Sequence, residues 1–407
     1  MVSPSRISPA GGRSQDGALF LIDNPGHICL CLGGERRLSK KVALIWVFVV
    51  HFLVPCFQAA AQSSSSEEEA AKKEKTSGLA FLPVIFYTPE TKWALGAGGL
   101  YYFRLTKDKA VSRPSNLAFF GAYTQRKQTN FEVNPDLYLK RGFHVQASLQ
   151  YSDFPDQFYG IGNETTEEME EPYTSRFWDV NVEALKQVRG PLNVGFQYFL
   201  DTRKLTEVEE GGMLASGDIP GSSGGTVSGL GYLMTYDSRD SIFYATSGSF
   251  HQFSAMGFGR TLGSDFTFNR FYLDLRKYVR FSFAHCLALQ TRLLFQTGDP
   301  PFWRMGLLGG QEIMRGYYLG RYRDKNLITL QAEYRWVPVF WRIGLAAFAS
   351  LGDVAATIGD FDLGSFKTTY GLGLRFVFDP KQRLNLRLDF GFGKGTSGFY
   401  FTAAEAF

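Results

Sequence analysis

From about residue 80 to the last residue, apolar and polar positions alternate with a period of two. In 328–336, Ile328, Leu330, Ala332, Tyr334 and Trp336 share one parity, and Thr329, Gln331, Glu333 and Arg335 share the other. In 370–378, Tyr370, Leu372, Leu374, Phe376 and Phe378 lie opposite Gly371, Gly373 and Arg375. The stretches 145–151, 192–200 and 384–392 repeat the theme. Successive side chains of a strand point to opposite faces, so each stretch predicts a strand with one apolar and one polar face. The pattern predicts strands near 80–88, 93–104, 116–127, 129–140, 142–153, 176–188, 191–203, 226–237, 248–259, 267–280, 284–297, 326–337, 341–353, 368–378, 383–393 and 397–407. That is about sixteen, an even number as closed single-chain membrane barrels of bacteria have.

The connections sort by length. Those at 140–142, 189–191 and 379–382 are tight, whereas 154–175, 204–225, 298–325 and 354–367 are long; 105–115 and 238–247 are of middling length on the short-turn side. Short turns on one rim and long loops on the other are the habit of membrane barrels. A soluble sandwich also alternates, but its apolar faces meet each other. Here nearly every strand carries Leu, Phe or Tyr on one side, among 38 Phe, 20 Tyr and 44 Gly in the chain. The fold class expected is all-β: a transmembrane antiparallel barrel over 80–407. Mean hydropathy near neutral fits, because alternation hides apolar content.

The start of the chain differs. An apolar run from Val42 to Phe57 follows Arg36, Arg37, Lys40 and Lys41 and precedes Ala59, Ala60 and Ala61. This predicts a cleaved secretory signal within an N-terminal extension over 1–61. Residues 62–79, with four serines followed by Glu67–Glu69 and several lysines, predict a disordered periplasmic linker. Of Cys29, Cys31, Cys56 and Cys286, cleavage leaves the last alone, which excludes an intramolecular disulfide.

The longest feature between strands is the connection from Gly298 to Lys325. A hairpin needs two to five residues, so a loop of this length must pack somewhere, and a wide barrel offers its lumen. Arg315 beside Gly316 suits a loop tip there, since a guanidinium binds a carboxylate with two parallel hydrogen bonds. Glu333 points inward on the next strand and is the expected partner. The segment Gly309-Gly310…Met314-Arg315-Gly316-Tyr317, followed by Gln331-Ala332-Glu333-Tyr334-Arg335, resembles the signature of the bacterial surface-antigen barrels, the BamA/TamA-type superfamily. Further likenesses are Asp237-Ser238-Arg239-Asp240, Gly371-Leu372-Gly373-Leu374-Arg375, Arg387-Leu388-Asp389 and the ending Phe399-Tyr400-Phe401…Glu405-Ala406-Phe407.

The resemblance implies an inward-folded loop between strands eleven and twelve, tipped by Met314, Arg315, Gly316 and Tyr317, where the family has Val-Arg-Gly-Phe. It implies a C-terminal strand signal, Phe399, Phe401 and Phe407, read by the barrel-assembly machinery that inserts the protein. Ser350 stands where the family carries an inward Asp, so the loop lock is expected to rest on Glu333 alone. Phe407 and Glu405 share the outward parity of the last strand. Too few residues precede the barrel for a POTRA domain, so a barrel-only member is expected.

The expected location is the outer membrane of a Gram-negative bacterium, with outer-membrane lipids as surroundings. The implied work is assembly, insertion or translocation, with unfolded outer-membrane proteins or lipids as substrates. A passive channel, or a surface adhesin or structural anchor, are the alternatives. No enzyme activity, cofactor, metal or nucleic-acid partner is expected. The basic residues are not clustered as a nucleic-acid footprint requires. His144 and Ser148, on one parity, are about 13 Å apart by strand rise. Gly391-Phe392-Gly393-Lys394-Gly395-Thr396 lacks P-loop spacing and reads as a hairpin turn.

Overall fold

The structure, a computed structural model, describes residues 77–105, 115–380 and 383–407. The N-terminal extension and almost all of the expected linker lie outside the described residues, as does most of the connection 105–115. Eighteen strands run in chain order: β1 (Ser77–Thr88), β2 (Lys92–Phe103), β3 (Ser115–Thr124), β4 (Thr129–Tyr138), β5 (Phe143–Phe158), β6 (Glu171–Arg189), β7 (Leu192–Val208), β8 (Gly225–Asp237), β9 (Gly248–Phe258), β10 (Phe268–Arg280), β11 (His285–Gly298), β12 (Gly306–Leu308), β13 (Tyr322–Asp324), β14 (Asn326–Phe340), β15 (Ile343–Ala355), β16 (Lys367–Asp379), β17 (Leu384–Gly393) and β18 (Thr396–Ala403). All but β12 and β13 form one closed antiparallel barrel, in which β11 pairs with β14 and β18 returns to β1. β12 and β13 make a small ribbon inside the long connection between them.

The parity expected from the sequence sets the two faces. Leu330, Tyr334, Tyr370, Leu372 and Leu374 are exposed on the outside, while Glu333, Arg335 and Arg375 are fully buried inside. Burying such charges requires partners, and the lumen supplies them, as described below.

Two boundaries differ from the sequence pattern. β5, β6 and β7 run several residues further on the long-loop side, from Phe154↔Ser175 to Phe158↔Glu171 and on to Tyr173↔Val208. Alternation fades there because the sheet no longer faces lipid. A satellite core of Phe158, Tyr173, Leu214, Phe302 and Trp303 holds this extension together. The buried Glu171 carboxylate accepts from the backbone N–H of Met213 and Leu214 at 2.6 and 3.0 Å.

The last strand is shorter than expected. It ends at Ala403, and Ala404 turns with φ 63°. Parity counting fails beyond that turn, so Glu405 and Phe407 face inward, contrary to the expectation. Phe407 is buried with Ala245, Tyr278, Cys286, Ala288 and Ala406. Glu405 accepts from Arg375 Nε at 2.8 Å and Asn385 Nδ2 at 2.8 Å. Phe399 and Phe401 keep the outward parity, and the Phe399 ring lies 5.2 Å from that of Tyr87.

Candidate functional site

The connection 299–325 folds into the barrel and touches opposite walls. Near its start, Arg304 forms ion pairs with Asp179 of β6 and with Asp201 of β7. Near its end, the Tyr318 hydroxyl donates to Asp156 of β5 at 2.8 Å, and the Arg323 carbonyl accepts from Gly162 N–H at 2.8 Å. Between these points a cluster of Leu308, Ile313, Met314 and Tyr317 packs on Leu294, Leu327 and Val354 of the far wall.

Arg315 sits at the tip with no exposed surface. Its Nη2 lies 2.5 Å from Glu333 and its Nη1 donates to Asp389 of β17. Its guanidinium also stacks 3.5 Å over the Phe348 ring. Glu333 and Asp389 thus both bond the guanidinium at the loop tip. Asp389 is the second carboxylate, on the strand three places beyond β14, and it takes the part that Ser350 leaves open.

The two carboxylates belong to a larger buried network. Arg335 Nε is 2.7 Å from Glu333, and Arg375 bonds Asp389 at 2.6 Å and Glu333 at 3.4 Å. Arg375 also reaches Glu405, and Arg335 Nη2 donates to the Phe407 carbonyl at 2.8 Å. Arg387 lies 3.5 Å from Asp389 and donates to Thr402 at 3.0 Å. Four guanidiniums thus face Glu333, Asp389 and Glu405, and the network runs from loop tip to chain end. In a low-dielectric interior such groups hold one another in place only if each is paired.

The tip lies flat on β17 because β17 has no side chain there. A Cβ on Gly391 would stand 2.4 Å from the Arg315 carbonyl oxygen. Gly316 itself has φ 120°, which an L side chain rarely adopts, and a Cβ there would meet the Phe392 backbone at 2.8 Å. Gly391 and Gly393 thus belong to a strand that receives the loop, not simply to a hairpin tip.

From the tip, bonds reach both sides of the joint where the barrel closes. Gly316 N–H donates to the Tyr400 hydroxyl of β18 at 3.0 Å, and Thr396 donates to the Gly316 carbonyl at 3.2 Å. On the other side, Leu319 N–H donates to Glu90 in the β1–β2 turn at 2.9 Å. Burial pushes the Glu90 carboxyl above its ordinary value despite that hydrogen bond. The joint itself is thin: among the described residues β1 and β18 are registered at Tyr87↔Phe401, whereas β1 and β2 pair from Ser77↔Phe103 to Thr88↔Lys92.

Residues 221–407, which include the loop tip, Glu333, Asp389 and β18, match the Omp85 superfamily domain. The C-terminal part of this barrel carries an Omp85 superfamily domain. The barrel's fold is similar to that of BamA from Haemophilus ducreyi lacking POTRA domains 1-3, with a TM-score of 0.58 and 14% identity over 82% of this chain and 71% of that one. It is also similar to CdiB from Acinetobacter baumannii (TM-score 0.52, 11% identity) and CdiB from Escherichia coli (TM-score 0.52, 11% identity). This chain covers 60% and 64% of those two chains and matches 81% and 82% of its own length to them. At these identities the likeness is one of fold. No curated protein sequence matches the chain significantly. Among the described residues, no cluster of His, Cys, Asp and Glu is placed to hold a metal ion.

Arg375, Arg387, Asp389, Tyr400 and Glu405 lie in the likenesses quoted above, but sequence reasoning gave none of them a role toward the loop, and it did not single out Glu90 at all. A signal for three of them was present: Arg375, Arg387 and Asp389 are charged residues on the lumenal parity of long strands, where a charge demands a partner.

Proposed function

We propose that this barrel acts in outer-membrane protein assembly, insertion or translocation in a Gram-negative bacterium, by parting its wall between β1 and β18. The observation that carries this reading is the joint: one registered pair, Tyr87↔Phe401, backed from inside by a loop bonded to both lips. Unpaired backbone in lipid is costly, so a wall that opens needs a thin joint and an internal support. The chain ends of the barrel are assigned to the periplasm and the long loops to the outside, as an exported chain requires. Unfolded outer-membrane proteins or lipids are the substrates of this reading, and the assembly machinery inserts the barrel itself. A passive channel needs an open lumen, and the bonds of Arg304, Tyr318 and Arg323 across it favour assembly or translocation.

The test is a reversible lock. Tyr87→Cys with Phe401→Cys places a disulfide at the registered pair. Cells depleted of the native protein and supplied with the oxidised double variant are expected to lose outer-membrane barrels, and reductant is expected to restore them. Full rescue by the oxidised form would rule out wall opening.

A further inference from the structure

Along β5 to β8 the connections at the two rims carry opposite charge. On the long-loop rim, the β5–β6 connection holds Glu164, Glu167, Glu168 and Glu170, and the β7–β8 connection holds Glu209, Glu210 and Asp218. At the other end of the same strands, the β4–β5 turn holds Lys140 and Arg141, and the β6–β7 hairpin carries Lys186 and Arg189. The two turns adjoin, because Phe143 of β5 pairs with Lys186 of β6.

Several facts make these cations unusual. All four are exposed. Lys140, Arg141 and Arg189 make no side-chain ion pair or hydrogen bond among the described residues. Lys186 lies on the outward parity of β6, the same as Trp178, and its ammonium sits 5.0 Å over the Phe143 ring. Carboxylates of the same strands are turned away: Asp136 of β4 is bonded to His144 and Glu183 of β6 to Asn181, both inside the barrel. Leu139, Phe143 and Val188 are exposed at the same level, at 39%, 46% and 59%.

Exposed apolar side chains beside cations at a barrel rim mark the level where lipid tails meet headgroups. An outward lysine there is stable when its ammonium reaches an anion at the interface. The other charged arc of this rim differs, because Arg280 and Arg383 are both bonded to Asp240. We propose that the outer surface formed by Lys140, Arg141, Lys186 and Arg189 with Phe143 and Val188 is a binding site for an anionic phospholipid. Its phosphate lies among the four cations and its acyl chain runs along Phe143 and Val188. The occupant is a lipid, not free phosphate or an acidic protein, because the apolar half of the site faces outward from a membrane-spanning wall. The proposal rests on the barrel spanning a bilayer and not on its work in assembly.

The test uses the full barrel in vesicles of phosphatidylethanolamine containing phosphatidylglycerol, with bromines on the chains of one lipid or the other. Phe143→Trp supplies a local fluorescence reporter, read as the difference from the wild-type signal. Brominated phosphatidylglycerol is expected to quench that reporter beyond its share of the bilayer, its association constant at the site rising about fivefold for each cation engaged until the site is full. Adding Lys140→Gln, Arg141→Gln, Lys186→Gln and Arg189→Gln is expected to return quenching to the bulk ratio. Should Phe143→Trp fail to fold, native mass spectrometry of the wild type and the four-Gln chain counts retained phosphatidylglycerol instead. Equal quenching by both brominated lipids, or equal retention by both chains, overturns the proposal.

Discussion

Glu333 is the residue on which the lumen turns. It touches Arg315, Arg335 and Arg375 at once, and each of those guanidiniums is buried. Removing a carboxylate here strands cations that already outnumber their partners. Removing a cation relieves the excess. Glu333→Gln is therefore expected to cost about 3–5 kcal/mol, the range for breaking a buried pair from one side. Arg387→Gln loses the hydrogen bonds to Thr402 and to the Gln311 carbonyl and a long contact to Asp389, and is expected to cost about 1–2 kcal/mol. Urea unfolding in vesicles, followed by tryptophan fluorescence, measures both; equal costs would contradict the shared-carboxylate account. Sequence parity made Glu333 legible as the loop's partner, because it lies inward on the strand that follows the loop. Asp389 was not legible in that role. Its parity is right, but which inward acid a loop tip reaches depends on how far the loop crosses the lumen, and no local pattern encodes that.

At the scale of elements, β17 is shaped by what lies on it. Its lumenal glycines are a track for the loop backbone, so Gly391→Ala is expected to lift the tip. Protease cleavage within 309–321 is expected to rise about 5- to 150-fold, matching the 1–3 kcal/mol of overpacking in a closed contact, and an unchanged cleavage rate would remove the track from the account. The strands themselves were legible almost throughout, since lipid outside and charge inside enforce the alternation from Tyr370 to Phe378 and from Ile328 to Trp336. Legibility ended where that double constraint ended. β5, β6 and β7 outrun the membrane and are held by Phe158, Tyr173 and Phe302 instead. The segment after Ala403 leaves the sheet, so Phe407 stands inside although its position number says outside.

For the whole molecule, pH acts with opposite signs at the two rims. In the 238–247 connection, burial raises the Asp240 carboxyl, but hydrogen bonds from Arg383, from the Thr246 side chain and from the backbone of Thr246 and Ser247 outweigh it. They hold the group well below the carboxylate range. Its contribution is present above the unfolded value near 4 and fades as pH falls toward the folded one. Glu90 runs the other way: burial raises its carboxyl, so its contribution is complete below the ordinary glutamate value near 4.5 and is lost as pH rises through the folded value. Glu90→Gln is thus expected to gain stability relative to wild type as pH climbs from 4 to 8, read as the difference in urea midpoint at each pH. A constant difference would mean that folding leaves the Glu90 carboxyl unshifted.

One consequence follows from where that loop takes hold. Gly316 grips one lip of the wall and Leu319 the other, each through a backbone N–H. A tether of three residues reaches about 10 Å at full stretch. If the wall parts as proposed, a gap wide enough for a polypeptide strand to enter exceeds that reach, so the wall and the loop then let go together.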